Sequence, residues 1–227
     1  MEQKEKLTIE KLIEEAQLFC VEQSKFQHKE LFGVTDGKAV GTLIEQKFQK
    51  YLNDKYIVTV GSSAKGIDLP SEDILTDIKV TSIKQPQSSC PFRDAKQKIF
   101  GLGYNLLVFV YDKTDDPATQ TAILNFVSCS FVSKERTADY TTTSILNDMK
   151  KVEANEDDIV AFLEGIKLPA DEITLQQIAG IILATEIPIG YLTISNALQW
   201  RLQYKRIVNL SDDVPGVEKI VSYNKPK

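Results

Sequence analysis

Ile74-Leu-Thr-Asp-Ile-Lys-Val-Thr81, with Gly66-Ile-Asp-Leu-Pro70 just ahead of it, decides how this chain is read. Ile74, Thr76, Ile78 and Val80 alternate with Leu75, Asp77, Lys79 and Thr81, which is the period of a β-strand. Asp77 and Lys79 therefore project from one face. Gly66 and Pro70 bracket Asp68 as a bend, and a hairpin-like approach would bring Asp68 beside Asp77. Upstream, residues 39–53 read as a helix with Val40, Leu43, Ile44, Phe48, Tyr51 and Leu52 on one face, and residues 56–60 as a short strand. Downstream, Pro91 opens a helix to about Leu102. Tyr104–Tyr111 has the near-continuous apolar character of a central strand, and residues 121–132 form another. Residues 8–27 add an amphipathic N-terminal helix with Thr8 as its N-cap.

The acid-x-Lys tripeptide is common; it occurs at residues 2–4, 36–38, 45–47, 77–79, 94–96 and 148–150. Only Asp77–Lys79 lies in a clear strand with a second acid placed to join it. Two carboxylates held together raise each other's pKa unless a cation relieves them. Mg²⁺ suits that role, being hard, oxygen-seeking and content to keep several waters. Lys79 would then orient or deprotonate a water, or stabilise charge on a reacting phosphate. The alternative is an exposed strand ion pair with no chemistry. Asp73 is a rival for the first carboxylate, though it sits too near Asp77 for a separate strand.

Ile67-Asp68 … Asp77-Ile78-Lys79 resembles the motif of the PD-(D/E)XK nuclease superfamily. Residues 39–132 follow that superfamily's α-β-β-β-α-β order, with Ile67 where the nominal motif has proline. Gly61-Ser-Ser-Ala-Lys-Gly-Ile-Asp-Leu-Pro70 and Thr76-Asp-Ile-Lys-Val-Thr-Ser82 look most like type II restriction endonucleases. The resemblance implies a restriction-endonuclease-like α/β core, a central mixed sheet flanked by helices. It implies Mg²⁺-dependent cutting of double-stranded DNA at short sites by a homodimer, with a cognate DNA methyltransferase in the same system. It places Asp68 and Asp77 on the metal and Lys79 on the water. Glu45, in Gly41-Thr-Leu-Ile-Glu45, becomes an outer or second metal ligand; read without the resemblance it is a surface helical residue.

Composition narrows the chemistry. The 227 residues include one histidine, His28, and three cysteines, Cys20, Cys90 and Cys129. Multi-histidine and Cys₄ metal sites are excluded, and a Ser–His–Asp triad would have to use His28. His28 reads as a helix-surface residue, Cys20 and Cys129 as core, and Cys90 as a loop thiol. The charged N-terminus has no apolar core of a signal peptide, and no apolar run approaches a membrane span, so a cytoplasmic protein is expected. Lys plus Arg number 27 against 32 Asp plus Glu, a net charge of −5 that disfavours nucleic acid. Distribution matters more than the sum. Lys79, Lys84, Arg93, Lys96, Lys98 and Lys113 face only Asp94 and Asp112 within residues 79–113, and residues 191–210 carry Arg201, Lys205 and Arg206 with no acid.

Residues 1–136 read as the N-terminal helix plus the catalytic core, and 137–227 as a mainly helical part for DNA recognition or dimerisation. Within it, Thr137–Asp148 looks like a connection, 156–165 a short helix, and 174–184 and 194–208 two helices that loosely resemble a helix-turn-helix with Ser211–Ser222 as a wing. Packing helices are the plainer alternative, and residues 205–224 could end as a hairpin around Pro215-Gly216. Candidate DNA contacts are Ser62, Ser63 and Lys65 in the first loop, Arg93 and Gln97 beyond the strand, and Arg201 and Lys205 on the second helix. Each also reads as an ordinary polar turn or solvated helix face. Competing functions are a repair or junction-resolving nuclease of the same fold, a non-catalytic DNA-binding regulator using residues 174–224, and an enzyme of small phosphate esters.

Overall fold

The structure is a computed structural model that describes residues 4–61, 66–196 and 199–222. The first helix, α1 (Ile9–Gln23), is capped by Thr8, whose side chain accepts from the Lys11 amide. The two-residue strand β1 (Gln27–His28) follows, then α2 (Gly37–Lys55), capped by Asp36. Next come β2 (Thr76–Ser82), β3 (Gln87–Cys90), the short α3 (Gln97–Phe100), β4 (Asn105–Asp116) and β5 (Thr121–Val132). The remainder is α4 (Tyr140–Lys151), α5 (Glu156–Gly165), α6 (Glu172–Ala184), β6 (Thr193–Ser195), β7 (Trp200–Gln203), α7 (Lys205–Val208) and β8 (Val217–Val221).

The central sheet runs β1-β5-β4-β2, with β8 also on β5. It is mixed: β2 pairs parallel with β4, and the other pairings are antiparallel. Strand β4 is buried on both faces, as its apolar run predicts. Leu107, Phe109 and Tyr111 join Ile78 and Val80 under α1 and α2. Leu106, Val108 and Val110 face a second apolar cluster that takes in α3 to α7 and the C-terminal strands. Residues of 1–136 and 137–227 share that second cluster. Asp77 is registered with Leu106 and Lys79 with Val108, so both project toward it at the end of the sheet. Strands β3-β7-β6 make a separate small sheet. No helix among the described residues is long and apolar enough to cross a membrane.

Several expectations are corrected. The 56–60 strand reduces to one bridge between Ile57 and Lys6. The helix from Pro91 shrinks to α3, because the Gln97 side-chain oxygen accepts the Arg93 and Asp94 amides and holds that stretch outside the helix. Thr137–Asp148 is no connection. It is largely α4, capped by Asp139, whose other oxygen accepts the Ile194 amide, while Thr142, Thr143 and Leu146 are buried. Tertiary packing there overrides the weak helix propensity of threonine. The helix expected over 194–208 is divided among β6, β7 and the four-residue α7, so the helix-turn-helix loses its long recognition helix. Trp200 and Leu202 point in while Arg201 and Gln203 point out, a period of two. The expected wing is β8, which pairs with β5 in the central sheet. His28 is fully buried in β1, and Cys90 is buried with its sulfur 3.1 Å from the Tyr104 hydroxyl.

Candidate active site

Strand β2 ends the sheet, so alternate backbone N–H groups point outward with no neighbouring strand. Carboxylates occupy them. The chain before β2 makes an antiparallel bridge, Leu69 to Thr76, with amide–carbonyl bonds of 2.9 and 3.0 Å. That bridge brings Asp68 alongside, and its Oδ2 accepts the Ile78 amide at 2.9 Å. Two residues on, the Val80 amide faces the Glu45 carboxylate. Helix α2 supplies Glu45 and, one turn later, Gln49, whose Nε2 donates to Asp68 Oδ1 at 2.7 Å. Gly41 lets the helix approach: a Cβ there would lie 3.3 Å from the Val80 carbonyl oxygen.

Asp77 and Lys79 pair at 2.7 Å, with side chains 5% and 19% exposed. Burial pushes the Asp77 carboxyl up, Lys79 opposes it, and nearby Asp68 pushes it further, to about 7. Burial works against the Lys79 ammonium, but Asp77, with Tyr204 and Glu45 beyond, outweighs it and holds the pKa above its ordinary value. Burial also raises Glu45, opposed by Lys79 and reinforced by Asp68. Asp77 and Glu45 thus face one ammonium with Asp68 beside them, and both are driven toward protonation. Glu45 and Lys79 open into a cleft of about 690 Å³ that Gln87, Ser89, Gln199 and Arg201 line on its far side.

A divalent cation fits this donor set. All the acids offer hard oxygen, and the excess negative charge is desolvated. Among the described residues no three His, Cys, Asp or Glu side chains converge closely enough to hold a metal by themselves. Mg²⁺ does not require that, since it is commonly held by one or two carboxylates, waters and substrate phosphate.

The sequence model of the NspV type II restriction enzyme family matches residues 6–219. The type II restriction enzyme NspV of a Nostoc species is 50% identical over 218 residues, covering 96% of this chain and 98% of its own. The chain belongs to the NspV family of type II restriction enzymes. No solved structure matches it. Membership makes it a sequence-specific endonuclease and, as this class generally does, one that uses a divalent metal.

Of the candidate DNA contacts in this NspV-family chain, Arg201 lies in the cleft with Glu45 and Lys79. Arg93 is exposed and sits by the Asp68 loop, its guanidinium 3.3 Å from where a Gly66 Cβ would be. Lys205 borders a different hollow, with Thr193, Gln203 and Arg206. Gln97 is buried, and its oxygen also accepts the Trp200 indole N–H at 3.0 Å, so the structure does not place it on an open surface. Lys98 is likewise turned to Asn196, 2.8 Å away. Ser62, Ser63 and Lys65 lie outside the described residues. Sequence reasoning missed Gln49 and the buried Tyr204, whose hydroxyl meets Ser88 behind Lys79. A glutamine one helical turn after Glu45 was a usable signal for the first. Nothing local marks Tyr204, which arrives from 125 residues downstream of Lys79.

Proposed function

We propose that the NspV-family core is a PD-(D/E)XK centre that hydrolyses duplex DNA with Mg²⁺, Asp68 and Asp77 as its ligands. One observation carries this reading: Asp68, Asp77, Glu45 and Lys79 are gathered at the open edge of β2, where Glu45 and Lys79 line a cleft. When bound, the metal polarises a phosphoryl oxygen and makes a nearby water more acidic. The chain's own residues do the rest. Gln49 and the Ile78 amide fix both oxygens of Asp68. The Val80 amide orients Glu45, an outer or second ligand. Lys79, kept charged by Asp77, donates to the attacking water or scissile phosphate and offsets negative charge gathering there.

The restriction reading extends to a homodimer, one centre for each DNA strand, acting in the cytoplasm beside a methyltransferase of matching specificity. The test is incubation of purified protein with phage DNA, with and without Mg²⁺, and mapping of fragment ends. Wild type yields discrete fragments only with the metal. Asp77→Ala yields none yet still binds DNA. Mg²⁺-dependent cutting retained by that variant refutes the site.

A further inference from the structure

The β3-β7-β6 sheet has two unlike faces. Registered partners share a face, so Gln87, Gln203 and Thr193 lie in one row across the strands, and Ser89, Arg201 and Ser195 in the next. The other face holds Ser88, Cys90, Trp200, Leu202 and Ile194; all but Ser88 belong to the apolar core, and Ser88 bonds the buried Tyr204. The outer face therefore consists entirely of amide, hydroxyl and guanidinium groups. Gln203 Nε2 donates to Ser195 Oγ at 3.3 Å, while the side chains of Gln87, Ser89, Thr193 and Arg201 make no hydrogen bond or ion pair with any described residue. At one end the face runs into the cleft that holds Glu45 and Lys79; at the other it reaches Lys205 and Arg206, with no acid in either hollow except Glu45.

We infer that the β3–β7 ribbon is the base-reading element, inserted in the DNA major groove with Gln87, Ser89, Arg201 and Gln203 directed at base edges. This rests on the nuclease reading above. Geometry and chemistry agree. A major groove about 12 Å wide admits a two-stranded ribbon. Side chains two apart on a strand are spaced by about 6.8 Å, which is two base-pair steps of about 3.4 Å. Arginine forks onto guanine O6 and N7, and glutamine onto adenine N6 and N7. A guanidinium with no partner among the described residues, on a hydrogen-bonding face that opens into the cleft, suits DNA. Lys205 then holds backbone at the far end, contributing affinity without sequence information.

The test compares wild type, Arg201→Lys and Gln87→Ala on a duplex library carrying every single-base change in the wild-type site. Binding is measured in Ca²⁺ and cleavage in Mg²⁺. Arg201→Lys keeps the charge and loses the fork, so discrimination at one base-pair position falls by about ten- to a hundredfold while the salt dependence of binding is unchanged. Gln87→Ala relaxes a neighbouring position and carries the test alone if Arg201→Lys fails to fold. Weakening that is equal on all sequences, with discrimination intact, overturns the assignment. Wild type that produces no discrete fragments would instead overturn the nuclease reading itself.

Discussion

Asp77→Asn should stabilise the metal-free protein while abolishing cleavage. The ordinary carboxyl value is 3.8, and burial beside Asp68 carries Asp77 to about 7 despite Lys79. A folded-state value above the unfolded one means that stability is full below pH 3.8 and is lost as pH rises toward 7. Between those values the folded protein holds a proton that the unfolded chain has released. Each pH unit costs about 1.4 kcal/mol, for a total of roughly 4 kcal/mol above pH 7. Asparagine mimics the protonated acid and escapes this cost. The gap between variant and wild type should therefore widen from pH 4 to pH 7 and then level. Urea unfolding in EDTA at pH 5, 6, 7 and 8, followed by circular dichroism, reads it directly. Mg²⁺ should narrow the gap by stabilising wild type alone. A gap that does not change with pH, or a variant less stable than wild type at pH 8, refutes the reasoning.

Gln49→Leu removes the amide from Asp68, and if Asp68 is the metal ligand proposed above, cleavage should fall about 10–100-fold with unchanged unfolding; undiminished cutting at limiting Mg²⁺ would contradict it. Gly190→Ala puts a Cβ 2.2 Å from the Ala138 carbonyl oxygen, so the chain should lose about 1–3 kcal/mol in thermal or urea unfolding. Glu15→Ala strips a buried carboxylate from Tyr51, Tyr56 and Lys55 and should cost about 3 kcal/mol without altering the cleavage site; fragment mapping and urea midpoints check both halves.

The parts of the fold that were legible in the sequence are those where side-chain period alone settles the element. Strand β5 spans the residues read as a strand, and the alternation at Ile74–Thr81 is β2 from Thr76 onward, with Asp77 and Lys79 on one face. Leu69 and Thr76 make the hairpin-like approach expected from Gly66 and Pro70. The errors share a cause, which is information held elsewhere in the chain. Ser195–Val208 has apolar residues that satisfy a helical wheel, yet the pairing of β7 with β3, more than a hundred residues earlier, makes a strand of its middle. Thr-rich α4 is helical because Asp139 caps it and Thr142 and Thr143 are buried. The candidate site was half legible in the same sense. Local spacing indicated Asp68, Asp77 and Lys79, whereas Gln49 depends on the approach of α2, and Tyr204 on a sheet that local pattern does not announce.

The carboxylates on the outward amides of β2 also protect the molecule from its own kind. An unpaired strand edge is a template for another chain, and charge along it discourages that addition. Asp68 and Glu45 close this edge with groups a second β-strand cannot accept without stripping their water. The acids proposed for cutting DNA are therefore also a guard against aggregation. Trimming either one to alanine bares backbone amides, so such variants should show a higher tendency to self-associate than Asp77→Asn, which leaves the edge covered.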